Sequence, residues 1–149
     1  MKISDKMDDI LVTYSLGSCI GLSVYDPVAK VGGMVHCMLP LSKVDPAKAK
    51  TNPHMFTDIS IPTLLEELFK RGATRNNLVV KVAGCSSLLD NKGLFKIGER
   101  NYTVCRKILW KNNILIDGEE VGGAKPRTLL LYMDSGRTTV KNAGTEVEI

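Results

Sequence analysis

The chain has 149 residues, 44% of them hydrophobic and 24% charged, with a formal net charge of +4 and a mean hydropathy of zero. A chain of this length fits one domain over residues 1–149 and buries roughly 70% of its unfolded surface without disulfide staples. No run reaches the ~18 apolar residues of a membrane span. The basic residues are scattered, with no stripe interleaved with aromatics, so a membrane-embedded protein and a nucleic-acid binder are both disfavoured.

Along the chain, residues 11–14 read as a short strand that Leu16-Gly17-Ser18 breaks. Ile20, Leu22 and Val24 then alternate with small or polar residues, the period-2 pattern of a strand. Asp26-Pro27-Val28-Ala29 suits a type I turn, because proline presets φ at the second position. Residues 31–39 form the returning strand, with Gly32-Gly33 as a bulge. Residues 42–57 are polar, carry Pro46 and Pro53, and read as a long surface loop of the kind that covers a site.

A helix is expected from Asp58 or Ser60, with Pro62 in its first turn, Leu64, Leu65, Leu68 and Phe69 as its apolar stripe, and Gly72 as its stop. Residues 78–82 form a strand that ends at Gly84. A second helix over residues 99–112 turns Val104, Cys105, Ile108 and Leu109 to the core. Residues 114–116 begin another strand, and residues 128–133 and 138–140 flank Asp134-Ser135-Gly136 in a hairpin. Hairpins exclude an all-parallel sheet. The expected fold is mixed α/β (α+β): a layered sheet-and-helix sandwich with mixed and antiparallel strands.

Chemistry-bearing residues are few: Cys19, Cys37, Cys85 and Cys105, with His36 and His54. There is no Cys-x-x-Cys, so no metal is expected. The polar start, Met1 to Lys6, has no apolar leader, so the cysteines read as thiols of a cytoplasmic protein. The turn at residues 26–29 pairs Ile20 with Val35, Leu22 with Gly33 and Val24 with Val31, and it sets Cys19 directly opposite His36. Directly opposed side chains have Cβ atoms about 4.5–5.5 Å apart. At that separation an imidazole stabilises a thiolate as an ion pair. Cys37 projects to the opposite face. Cys85 and Cys105 have no histidine near in sequence, and His54 falls in the surface loop. The competing reading is a small buried cysteine beside a structural histidine, and the residues alone leave both open.

The run Thr13-Tyr14-Ser15-Leu16-Gly17-Ser18-Cys19-Ile20, then Tyr25-Asp26-Pro27 and Gly32-Gly33-Met34-Val35-His36-Cys37-Met38-Leu39-Pro40, resembles the chemoreceptor glutamine deamidase family CheD. Weaker similarity continues through Ile61 to Gly72, Ile97 to Asn101 and Val121 to Val140. Ala83-Gly84-Cys85 departs from the Gly-Gly that is frequent in the family, as Leu41 does from an acidic residue. The resemblance implies that Cys19 is the nucleophile, His36 the general base and Thr13 the residue orienting the imidazole. Backbone amides around Gly17 and Ser18 would serve the oxyanion. It also implies deamidation of receptor glutamines, hydrolysis of receptor glutamyl methyl esters, no cofactor, and binding to the chemotaxis phosphatase CheC. A non-catalytic adaptor for that phosphatase is the alternative, and a different thiol hydrolase such as a peptidase is a third.

Overall fold

Residues 20–26 alternate in side-chain direction, yet every one of them is buried. A strand buried on both faces must be covered twice, and the computed structural model, described here for residues 1–87 and 95–149, shows how. Strand β3 (Ile20–Asp26) is central in a five-stranded sheet with β1 (Lys2–Ser4), β4 (Val31–Cys37), β5 (Val79–Gly84) and β6 (Gly118–Val121), in the order β1-β4-β3-β5-β6. The β5–β6 pair is parallel and the others antiparallel. A second, antiparallel sheet has the order β2-β7-β8-β9, formed by β2 (Ile10–Leu16), β7 (Arg127–Tyr132), β8 (Thr138–Asn142) and β9 (Thr145–Glu148).

Ile20, Leu22 and Val24 face one core with Ile61, Leu64 and Leu68 of helix α2 (Thr57–Lys70) and Cys105 and Leu109 of helix α3 (Ile97–Lys111). Tyr25 and Met34 face the other core, with Leu11, Leu16, Leu129, Leu131 and Met133 beside the second sheet. The layers are therefore sheet, sheet and helices, which is the mixed α+β sandwich expected from the sequence. Gly72 stops α2 in the left-handed region at φ +97°, and the Ala73 amide donates to the Leu68 carbonyl. This is a glycine C-cap.

Several expectations need correction. The β3–β4 register pairs Ile20 with Cys37, Gly21 with His36, Leu22 with Val35 and Val24 with Gly33, so Cys19 is not directly opposite His36. The loop between the strands is residues 27–30, one place later than the expected turn. Asp26 stays in β3, where its carboxylate accepts from the amides of Val28, Ala29 and Thr74, and Lys30 at φ +59° donates to the Asp26 carbonyl. Moving the turn by one residue moves the partner by two. Parity survives that shift, which is why the core faces were predicted correctly while the partners were not.

Gly32 and Gly33 are paired regularly on both sides and form no bulge. A Cβ on Gly33 would lie 2.5 Å from Leu64 Cδ1, so this glycine lets α2 approach the sheet. The bulge lies in β2, between Thr13 and Leu16, where Ser15 is left-handed at φ +57°. The expected loop over residues 42–57 folds into 3-10 turns at residues 42–44 and 53–55 around helix α1 (Pro46–Thr51), and Thr57 already begins α2. Pro62 therefore sits inside α2, beyond its first turn. His54 belongs to the second of these turns, half-buried, with Ser60 Oγ donating to its carbonyl at 2.9 Å. The strand expected from residue 114 begins at Gly118.

Candidate active site

The β2 bulge delivers the chain into the site. Leu16 turns fully into the core, and its side chain seats over Gly21, where an added Cβ would lie 2.7 Å from Leu16 Cδ1. Residues 17–19 then bend around this anchor before β3 begins. Gly21 is the direct partner of His36, so Cys19, two residues earlier, is the diagonal neighbour of His36 on the face toward the second sheet. Diagonal neighbours lie about 7–8 Å apart between Cα atoms, within reach of long side chains, and Gly21 places no side chain between these two.

Thr13 stands on β2, an edge strand of the second sheet, and reaches across the sandwich. Its Oγ1 lies 2.7 Å from His36 Nδ1. A hydroxyl can fix the ring and its tautomer but supplies no charge, unlike a carboxylate. The two ring-facing elements open on separate hollows. Cys19, with Gly17, Ser18, Ser86 and the start of α3, lines a cleft of about 470 Å³, while Thr13 and His36 line a second hollow of about 360 Å³ with Met34 and residues 10–12.

Burial sets the electrostatics. It raises the Cys19 thiol above its ordinary value, only partly offset by the backbone amide of Cys19 itself, and it lowers the His36 imidazole. Both shifts favour the neutral forms, thiol and imidazole, over an ion pair. The remaining thiols are more deeply suppressed: burial raises Cys37 to about 11 and Cys85 to about 12, and it raises Cys105 as well. Among the described residues no group of three or more cysteine, histidine or acidic side chains could hold a metal.

The bend is held by its carbonyls. The Ser86 amide donates to Gly17 O at 2.8 Å, Asn101 Nδ2 to Ser18 O at 3.0 Å, and the Cys85 amide to Cys19 O at 2.8 Å. Neither the Ser18 nor the Cys19 amide donates to a backbone carbonyl among the described residues, and the Cys19 amide lies toward its own thiol. Amides without backbone partners beside a thiol are the donor type an oxyanion requires. Gly84 and Gly98 make this packing feasible. A Cβ on Gly84, itself at φ +100°, would lie 2.3 Å from Cys19 O, and one on Gly98 would lie 2.5 Å from Cys85 O. Arg127, 4% exposed, donates to Gly84 O and pairs with Glu120, which secures the end of β5.

Asn101 and the two packing glycines were not assigned roles from sequence. The one signal was a carboxamide within the buried stripe Gly98, Asn101, Cys105 and Leu109 of α3.

A half-buried thiol, an imidazole bonded to a hydroxyl and amides without backbone partners are groups that thiol acyl-transfer chemistry uses. Comparison with known proteins narrows that class. A family model described as CheD chemotactic sensory transduction matches residues 38–142, and the chain belongs to this family. The match starts beyond the Cys19–His36 hairpin, but whole-chain relatives span it. A probable chemoreceptor glutamine deamidase CheD of Solibacter usitatus is 48% identical over 148 residues, covering 99% of this chain and 88% of the relative. A second, from Syntrophus aciditrophicus, is 48% identical over 143 residues, covering 96% and 89%. A third, from Caldanaerobacter subterraneus, is 40% identical over 146 residues, again covering 96% and 89%.

Proposed function

We propose that this protein, as one domain over residues 1–149, deamidates particular glutamines on the cytoplasmic parts of methyl-accepting chemoreceptors. The names of its whole-chain relatives supply the substrate class. The observation that carries the chemistry is the 2.7 Å contact between Thr13 Oγ1 and His36 Nδ1 on the sheet face that also bears Cys19. With Nδ1–H donating to Thr13, Nε2 is free to accept a proton.

Because the resting pair is neutral, His36 takes the Cys19 proton as sulfur attacks the carboxamide carbon. The oxyanion forms beside the amides of Ser18 and Cys19, with Gly17 giving the bend its close backbone approach. The imidazolium then protonates the amine, ammonia leaves, and a thioester remains. His36 removes a proton from water, hydroxide displaces sulfur, and glutamate and free thiol are released. A glutamyl methyl ester would follow the same path with methanol as leaving group. No step calls for a cofactor.

The family resemblance supports binding of the phosphatase CheC, and a receptor substrate on the inner membrane face supports a cytoplasmic location. Among the described residues no helix is long and apolar enough to cross a membrane. Incubation with a receptor cytoplasmic fragment, followed by ammonia release and peptide mass, tests the reading. Turnover by the wild type and none by Cys19→Ala or His36→Ala is expected. Equal turnover by wild type and Cys19→Ala overturns the nucleophile. CheC binding with no turnover on any receptor selects the adaptor instead.

A further inference from the structure

The side chain of Asn101 is fully buried on α3 and takes no part in the proposed proton transfers. Its Oδ1 accepts from Thr57 Oγ1 at 3.1 Å, and its Nδ2 donates to Ser18 O at 3.0 Å and to Met38 O at 3.2 Å. Both carbonyls are acceptors only, so the amide can be oriented in one way. A single carboxamide thus joins the bend before Cys19, the chain two residues beyond His36, and the first residue of α2. Networks satisfied in this manner rigidify what they join.

The bond to Ser18 has a directional consequence. In a trans peptide the C=O and the following N–H point opposite ways. Drawing Ser18 O toward α3 turns the Cys19 N–H away from the helix and toward its own thiol, where it acts to stabilise the thiolate. The flanking carbonyls of Gly17 and Cys19 are held by the amides of Ser86 and Cys85. Asn101 is the one side chain in this set of three bonds.

We infer that Asn101 is a positioning residue, holding the Ser18–Cys19 peptide so that its N–H faces the sulfur and the developing oxyanion; this rests on the deamidation reading above. Asn101→Ala removes both donations, and Asn101→Asp keeps the shape and the Thr57 bond while replacing donors with acceptors. For both variants kcat is expected to fall about 10- to 100-fold, short of the ~100- to 1,000-fold of outright loss of an oxyanion donor, with KM held within about twofold.

Iodoacetamide alkylation of Cys19, which needs no substrate, supplies a second readout. Its pH profile should move to higher pH in both variants, because the thiolate loses the N–H aimed at it. Leu109→Ala, further along the buried stripe of α3, is the control: it lowers the melting temperature while leaving kcat and the alkylation profile in place. Should the Asn101 variants fail to fold, Thr57→Val carries the test. It releases Oδ1, lets the amide turn, and shifts both readouts the same way by a smaller factor.

Asn101 variants, or Thr57→Val in their place, that lose melting temperature as Leu109→Ala does but keep the wild-type kcat and alkylation profile overturn the inference. A wild-type enzyme that deamidates no receptor overturns the deamidation reading instead, and the alkylation profiles still decide the role of Asn101.

Discussion

Replacing Thr13 by valine removes one oxygen and little volume, so its effect isolates the contact with His36. The hydroxyl lies 2.7 Å from Nδ1 on a half-buried strand. A neutral hydrogen bond of this kind contributes about 1 kcal/mol net, and one to a charged partner about 1.5–3 kcal/mol. The imidazole is neutral at rest and charged once it has taken the thiol proton. The excess, about 1 kcal/mol, is therefore felt on the way to the intermediate and corresponds to roughly a five- to tenfold fall in kcat. With His36 in its proposed role as base, the acid limb of the pH profile reports its protonation. Burial already lowers this group, so the limb falls below the ordinary histidine range. Losing the Thr13 acceptor penalises the imidazolium more than the neutral ring, so the limb moves further toward low pH while the plateau drops. Initial-rate ammonia release from a receptor fragment across the pH range measures both. A Thr13→Val enzyme with unchanged kcat, or one whose acid limb moves to higher pH, would refute the orienting role.

Cys19→Ala should abolish turnover with little change in stability, since the side chain is only partly buried, and in the wild type iodoacetamide should label Cys19 ahead of the buried Cys37, Cys85 and Cys105, as peptide mass mapping would show. That labelling should still be rising at alkaline pH, because burial raises the thiol. Gly84→Ala combines a left-handed backbone with a Cβ 2.3 Å from Cys19 O, and should cost about 2–4 kcal/mol in urea unfolding and displace Cys19, lowering kcat. Asp26→Ala strands three amides that the carboxylate now satisfies, and should lower stability by about 3 kcal/mol with turnover retained at temperatures where the variant is folded.

The helices and the hairpin of β7 and β8 were legible because their signals are local: an apolar stripe with a glycine stop, and Asp134-Ser135-Gly136 between two apolar runs. The edge strands β1 and β9 carry no such signal. β1 has three residues and β9 is exposed throughout, so each exists through its pairing with a neighbour distant in sequence or only a short turn away. The segment over residues 42–57 hides its structure for a related reason. Its proline and lysine content marks it as polar, but its turns are organised by docking on the end of β4, where the amides of Met38 and Leu39 donate to Met55 O. Strand register points to Cys19 and His36, and Thr13 joins them only through the family resemblance, whereas a buried amide such as Asn101 announces itself only through the carbonyls it meets.

Residue order alone settles which side chains are available for chemistry and which face of each strand they occupy, since alternation depends on parity and survives a shift of two. Tertiary structure decided who stands opposite whom. Asp26 holds three amides from two loops and keeps itself in the strand, so Gly21 rather than Cys19 faces His36. The contact between Thr13 and His36 joins two sheets, and Asn101 joins α3 to the bend before Cys19. Hydrogen bonds between layers depend on how those layers pack, and no local pattern within one strand encodes that.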